Sequence, residues 1–335
     1  MRKRVSMVRI TLIAHGDIDG LASAAIVIAH YLYKEKQLKY QLYFAQPFSL
    51  HVTLNRAEVS ASNVLYILDV ALYREHWEQV SQRVLGLRGK LEVNWVDHHP
   101  STISNKDVLE AVGIRVMASP APATASLLRG IALETGNPGF YERLIALAEV
   151  ADATEEPQDS GLASAVEILS GSLALDPLDD EFKRRLVEYW VKRQLLVPEE
   201  AAERFEVAEE KARKLYEEAR SKIVYESLTL RVIDLRETRV YGFTGRIASH
   251  QAKVDGKVVL VLFRVGYDSV VITGRAPDNL EVNLDEIFRE VARLWGGSGG
   301  GHHRAASLRV PAPVADKVLD EVVKEVEASL SRRVL

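Results

Sequence analysis

The chain contains no cysteine among its 335 residues. Disulfides and zinc–thiolate centres are therefore excluded. Any metal must be held by His, Asp and Glu, donors that suit Mn2+, Mg2+ or a sulfur-free Zn2+ site. Long apolar runs are missing too, since none reaches the ~18–20 residues needed to span a bilayer. Met1-Arg2-Lys3-Arg4 is basic, but no apolar signal core with a small-residue cleavage site follows it. A cytoplasmic protein with no membrane partner is expected. A surplus of positive charge is also lacking: the formal net charge is −4, so no global basic field advertises nucleic-acid binding, although a local patch is compatible with it. What is present is ordinary for a globular protein, with 47% hydrophobic and 27% charged residues. The length suggests two domains, because single cores stop growing near ~250–300 residues.

The first 160 residues alternate strand-like and helix-like segments. Residues 8–14, 42–45, 64–68 and 92–96 are continuous apolar runs, as a parallel sheet buried on both faces requires. Between and after them, 21–36, 74–87 and 123–134 have helical spacing. This rhythm predicts an α/β fold: an N-terminal open parallel sheet flanked by helices over 1–180. Residues 181–226 are highly charged and helical, split by Pro198, and read as a helical connector. From 227 to 335 the pattern changes to a smaller α+β domain. Strands are expected at 228–235, 257–265 and 269–273, and a helix at 282–295. A glycine-rich loop, a short strand and a closing amphipathic helix over 313–330 complete it.

Acidic and imidazole groups end several of these apolar runs. His15-Gly16-Asp17-Ile18-Asp19-Gly20 follows the run 10–14. Asp69 follows 65–68, and Asp97-His98-His99 closes 93–96. Asp152 closes the helical run 144–151. A lone aspartate after a strand is more often a helix cap or turn residue. If the apolar runs are neighbouring strands and a buttressing helix, four such sites instead meet at one sheet edge, where open α/β sheets bind ligands. Two divalent cations ~3.5–4 Å apart need about this many ligands, with one carboxylate bridging. Gly20 allows a tight entry into the helix that follows, whose N-terminus favours anions such as phosphate.

A second cluster lies near the end of the chain, Gly299-Gly300-Gly301-His302-His303-Arg304. Glycine backbone N–H groups can approach a phosphate or sugar closely. His302 could donate to a phosphate, with Arg304 assisting. Five of the nine histidines fall in these motifs; His30, His51, His76 and His250 read as structural. Residues 231–310 carry 12 Lys and Arg against 9 Asp and Glu, a modest local surplus of positive charge that suits phosphate binding.

These residues resemble the motifs of the DHH phosphoesterases, a family that includes RecJ-type single-strand nucleases, nanoRNases and cyclic-dinucleotide phosphodiesterases. The ordered matches are His15–Gly20, Leu68-Asp69, Asp97-His98-His99 and Ala151-Asp152, followed by the glycine-rich element of a DHH-associated C-terminal substrate domain. The resemblance implies that His15 and Asp17 hold a first metal and Asp19, His98 and Asp152 a second, with Asp69 bridging them. It implies Mn2+ as the first choice of cofactor, with Mg2+ or Co2+ as substitutes. His99 would orient or protonate a phosphate oxygen, and Asp97 would fix an imidazole or a helix end. Gly299, Gly300, Gly301, His302, His303 and Arg304 would bind substrate. Arg275, in Thr273-Gly274-Arg275-Ala276, is the counterpart of a phosphate-gripping family arginine, although both flanking serines of the family pattern are absent.

The implied activity is exonucleolytic release of mononucleotides from single-stranded DNA or RNA or from short oligonucleotides. From the length of the chain, the extra oligonucleotide-binding domain of long-strand RecJ nucleases is not expected, whereas the first motif and Ala151-Asp152-Ala153 look RecJ-like. The alternatives are a cyclic-dinucleotide phosphodiesterase, a 3′-phosphoadenosine-5′-phosphate phosphatase and, further off, a replication-associated scaffold. Replication or repair proteins and a second copy of the chain are the expected protein partners.

Overall fold

The computed structural model describes residues 7–35, 37–57, 59–153 and 159–331. It divides into two compact units. The first runs up to Leu173 and takes in Pro177–Phe205; the second comprises Ala174–Asp176 and the chain from Glu206 onward.

The first unit is built on five parallel strands: β1 (Val8–Ala14), β2 (Leu38–Phe44), β3 (Val64–Leu68), β4 (Glu92–Asp97) and β5 (Arg115–Ala118). Their order is β2-β1-β3-β4-β5. Alternate residues of β1 feed two cores. Ile10, Leu12 and Ala14 meet the helices Ile18–Lys34, Pro138–Asp152 and Asp180–Lys192. Ile13 instead joins Ile67, Trp95 and the helices Leu50–Arg56 and Trp77–Leu85 on the other face. Helices on both faces explain why the strands read as unbroken apolar runs rather than alternating ones. The strand order reverses between β1 and β3, and it is beyond the carboxyl ends at such a reversal that open α/β sheets bind ligands.

The helix Asp180–Lys192, which the sequence assigns to a connector, buries Phe182, Leu186 and Trp190 in the core of the first unit. The division between units falls inside the next helix, Glu199–Ser221. The expected helix over 123–134 is two short helices, Thr124–Leu127 and Arg129–Ala132.

The second unit is a six-stranded mixed sheet: β6 (Ile223–Glu226), β7 (Leu230–Asp234), β8 (Val258–Val265), β9 (Ser269–Arg275), β10 (Ser298–His302) and β11 (Ala305–Pro311). Its order is β10-β11-β9-β8-β7-β6, and only the β7–β8 pair is parallel. The helices Leu284–Leu294 and Ala315–Ser331 cover one face, and Thr244–Asp255 the other. The glycine-rich stretch expected to be a loop is the edge strand β10. Among the described residues, no helix is long and apolar enough to cross a membrane.

Candidate metal centre

His15, Asp69 and His98 follow directly on the carboxyl ends of β1, β3 and β4, and Asp97 is the last residue of β4. His15 N–H donates to the Leu68 carbonyl and Asp69 N–H to the Val96 carbonyl, so the strand ladder itself sets the spacing of the three loops. Asp69 has a φ of 59°. That left-handed conformation is one Asp tolerates better than most non-glycine residues, and it turns the chain off the sheet just as its carboxylate is delivered. Asp17 caps the helix Ile18–Lys34, accepting from Gly20 N–H at 3.1 Å. A Cβ on Gly20 would collide with the His15 backbone, so glycine is needed for this sharp entry. Asp152 ends the helix Pro138–Asp152.

The side chains converge. Three groups have ligand-capable atoms within 4.8 Å of one another: His15, Asp17 and Asp69; Asp19, His98 and Asp152; and Asp69, His98 and His99. Asp69 is shared by two groups, and its buried carboxylate lies 3.7 Å from His15 Nδ1 and 3.7 Å from His98 Nε2. His98 Nε2 stands 3.3 Å from Asp152, while its Nδ1 donates to the Ala121 carbonyl at 3.1 Å. That second bond fixes the ring with its other nitrogen toward the carboxylates. His99 Nδ1 donates to Asp97 Oδ1 at 2.7 Å. Asp97 is fully buried, and its Oδ2 has no hydrogen-bond partner. His15 Nδ1 donates to Asp17 at 2.6 Å and its Nε2 to Gln46 Oε1 at 3.0 Å.

Gln46 and Thr124 were not foreseen in the sequence. Thr124 N–H and Ala125 N–H donate to the two Asp19 oxygens at 2.6 and 2.8 Å, and Thr124 Oγ1 donates to Asp69 at 2.9 Å. Asp19 thus also anchors the start of the helix Thr124–Leu127. Gln46 immediately follows an apolar run, like the acidic residues, but an uncharged amide there carries no chemical signal of its own.

The electrostatics favour cations. Burial, then the negative charges of Asp19, Asp17, Asp97 and Asp152, push the Asp69 carboxyl well above its ordinary range. Burial, then Asp19 and Asp17, raise Asp152 to about 8. Asp19 is raised by burial and by Asp17, partly offset by the Ala125 and Thr124 N–H groups. Burial would pull the His15 imidazole down, but the adjoining Asp17 carboxylate overrides it and the group rises to about 9. Burial likewise works against His99, which its bond to Asp97 nevertheless raises. Burial opposes ionisation of Asp17, but His15 holds its carboxyl well below the usual range. Carboxylates crowded this closely stay ionised only with compensating positive charge. The donor set, oxygen and imidazole without sulfur, fits Mn2+, Mg2+ or Co2+.

In the second unit, β10 pairs with β11 from Ser298 opposite Arg309 to His302 opposite Ala305. An edge strand leaves one row of backbone groups outside the sheet. Gly299 packs so closely on the helix Leu284–Leu294 that a Cβ would stand 2.7 Å from the Phe288 carbonyl oxygen. Gly301 has a φ of 149°, and a Cβ there would strike the Ala305 carbonyl. His302 and His303 are exposed. Arg275, at the end of β9, donates to the Gly274 carbonyl at 2.9 Å, and burial lowers its pKa. Arg304 is ion-paired with Asp278.

Residues 241–332 match the DHHA1 domain. No curated protein sequence matches the chain. Among solved structures, a pGpG-specific phosphodiesterase from Vibrio cholerae is similar at a TM-score of 0.55 and 14% identity, over 96% of this chain and 99% of that one. RecJ from Thermus thermophilus in complex with Mn2+ is similar at a TM-score of 0.58 and 16% identity, over 96% of this chain. The match covers 52% of RecJ, so this chain spans about half its length. The DHH domain of a member of the s1p family of ribosomal proteins gives a TM-score of 0.56 at 17% identity, over 95% of this chain and 86% of that one. Residues 241–332 are thus similar to the DHHA1 domain, and the chain as a whole shares the fold of these three structures.

Proposed function

We propose that the chain is a two-metal phosphodiester hydrolase that removes mononucleotides from single-stranded DNA or RNA or from short oligonucleotides. The observation that carries this reading is one buried carboxylate, Asp69, shared by a His15–Asp17 group and a His98–His99 group at the carboxyl edge of a parallel sheet. His15, Asp17 and Asp69 would hold one divalent ion, and Asp19, His98 and Asp152 the other, with Asp69 common to both. Mn2+ is the first choice, since the similar RecJ structure holds it. When bound, such ions lower the pKa of water and offset the negative charge of a phosphate.

The chain's own residues would do the rest. Thr124 steadies Asp69 and Asp19 so that neither carboxylate swings away. His98 is locked by the Ala121 carbonyl. His99, held at Nδ1 by Asp97, keeps Nε2 free to give a proton to the leaving oxygen. Water adds its oxygen to phosphorus, the bond from phosphorus to the nucleoside oxygen breaks, and that oxygen takes up a proton. In the second unit, Arg275, Gly299, Gly300, Gly301, His302, His303 and Arg304 are assigned to substrate binding. A guanidinium suits bidentate phosphate recognition. Replication or repair proteins and a second copy of the chain are the proposed protein partners, and the cytoplasm the proposed compartment.

A second reading, a phosphodiesterase for dinucleotides, is favoured by the match over 99% of the pGpG-specific enzyme. The deciding experiment incubates the protein and Mn2+ with end-labelled RNA and DNA of graded length, beside pGpG and cyclic dinucleotides. Mononucleotides released from strands would support the exonuclease. Hydrolysis of dinucleotides alone would select the second reading, and no hydrolysis at all would overturn both.

A further inference from the structure

The two imidazoles that would ligate metal are restrained in the same way by different means. His98 turns Nε2 toward Asp69 and Asp152 because its Nδ1 is tied to a backbone carbonyl, that of Ala121. His15 is mounted the other way round. Its Nδ1 faces Asp17 and Asp69, and its Nε2 is tied to the side-chain oxygen of Gln46. An amide oxygen only accepts, so Nε2 keeps its hydrogen, and a cation would displace the other one, which Nδ1 donates to Asp17. Metal-binding histidines depend on such an outer partner for ring orientation.

Gln46 is itself held in place. Ala45 N–H donates to the Ala14 carbonyl, which sets the residue beside the end of β1. The Ser49 hydroxyl accepts from Gln46 N–H at 3.0 Å and donates to the Gln46 carbonyl at 3.2 Å, and Pro47 begins the turn. The backbone is therefore pinned while the exposed side chain reaches across to His15.

Resting on the two-ion reading above, we infer that Gln46 is the positioning residue of the first metal site, presenting His15 to the cation through Nδ1. The acceptor on His98 is backbone and cannot be changed by substitution. The acceptor on His15 is a side chain and can be.

The test titrates the metal-free full chain with Mn2+ by calorimetry, for the unaltered protein, Gln46→Met and Gln46→Glu. Gln46→Met keeps the length and removes the oxygen. It is expected to weaken one of two Mn2+ equilibria by about 10–100-fold and leave the other unchanged. Gln46→Glu restores an acceptor and is expected to recover the tight equilibrium. In the unaltered chain loaded with isotope-labelled Cd2+ and histidine, metal–nitrogen coupling is expected at Nδ1 of His15. Both Mn2+ ions binding Gln46→Met as they bind the unaltered chain, or coupling at Nε2 of His15, would overturn the role of Gln46 alone. Failure of the unaltered chain to bind two Mn2+ would instead overturn the two-ion reading beneath it.

Discussion

Asp69 answers two demands with one residue. Its backbone is left-handed, which Asp and Asn tolerate and bulky or β-branched residues do not. Its carboxylate lies between two imidazoles. Asp69→Asn keeps the turn and removes the charge, so the fold should survive while the chemistry does not. Hydrolysis should fall by roughly a thousandfold or more, with Mn2+ binding weakened at both sites in a calorimetric titration. Wild-type activity in this variant would sink the two-metal reading. His302→Ala should act differently, raising KM with Mn2+ affinity unchanged; a fall in metal affinity would move His302 out of substrate binding. At this scale the charged residues were legible because each ends an apolar run, and a charge there has to be accounted for. Gln46 and Thr124 were not, because their partners lie far away in sequence: His15 is 31 residues from Gln46, and Asp19 is 105 from Thr124.

The elements show where local pattern stops informing. Strands β1, β3 and β4 were plain as apolar runs closed by polar groups. Strand β10 was not, because a glycine run lacks the side chains that mark a strand and usually weakens one. Here the missing side chains let the strand settle on the helix Leu284–Leu294, with Gly299 against the Phe288 backbone. Helix Thr244–Asp255 went unread, because two of the five residues on its buried face, Thr244 and Gln251, are polar; β6, read as the end of the helical connector, is a short strand with three of its four residues exposed. A paired substitution checks this account of β10. Gly299→Ala should cost about 1–3 kcal/mol through overpacking, read as a lower melting temperature. Gly300→Ala, where a Cβ would meet nothing closer than 3.6 Å, should melt like the unaltered chain. Equal melting of the two variants would mean that the glycines serve something other than packing.

On the scale of the whole molecule, each unit has its own hydrophobic cores. Calorimetric unfolding should therefore show two transitions, and Mn2+ should raise only the one that belongs to the first unit. A shift of both transitions by Mn2+ would mean that the units unfold together. The metal-free protein should also lose stability as pH rises. Asp152 rises from 3.8 to about 8 on folding, and His15 from 6.5 to about 9. A raised group contributes stability below its unfolded value and loses that contribution as pH climbs through the folded one. Asp17 has the opposite sign, but its loss lies at acid pH. Between pH 6 and 9, then, the melting temperature of the metal-free protein should fall, and added Mn2+ should reverse the fall while expelling protons. A melting temperature that rises over that range without metal would contradict this assignment.

The residues gathered around Asp69 come from positions as distant as His15 and Asp152, on loops and helix ends that only a completed parallel sheet brings together. Parallel pairing requires long chain closures before any contact repays them, which makes it slow. The cluster therefore cannot form ahead of its scaffold. An incomplete chain, or one paused midway through collapse, would offer the cation only scattered carboxylates, so metal uptake marks the end of folding rather than its beginning.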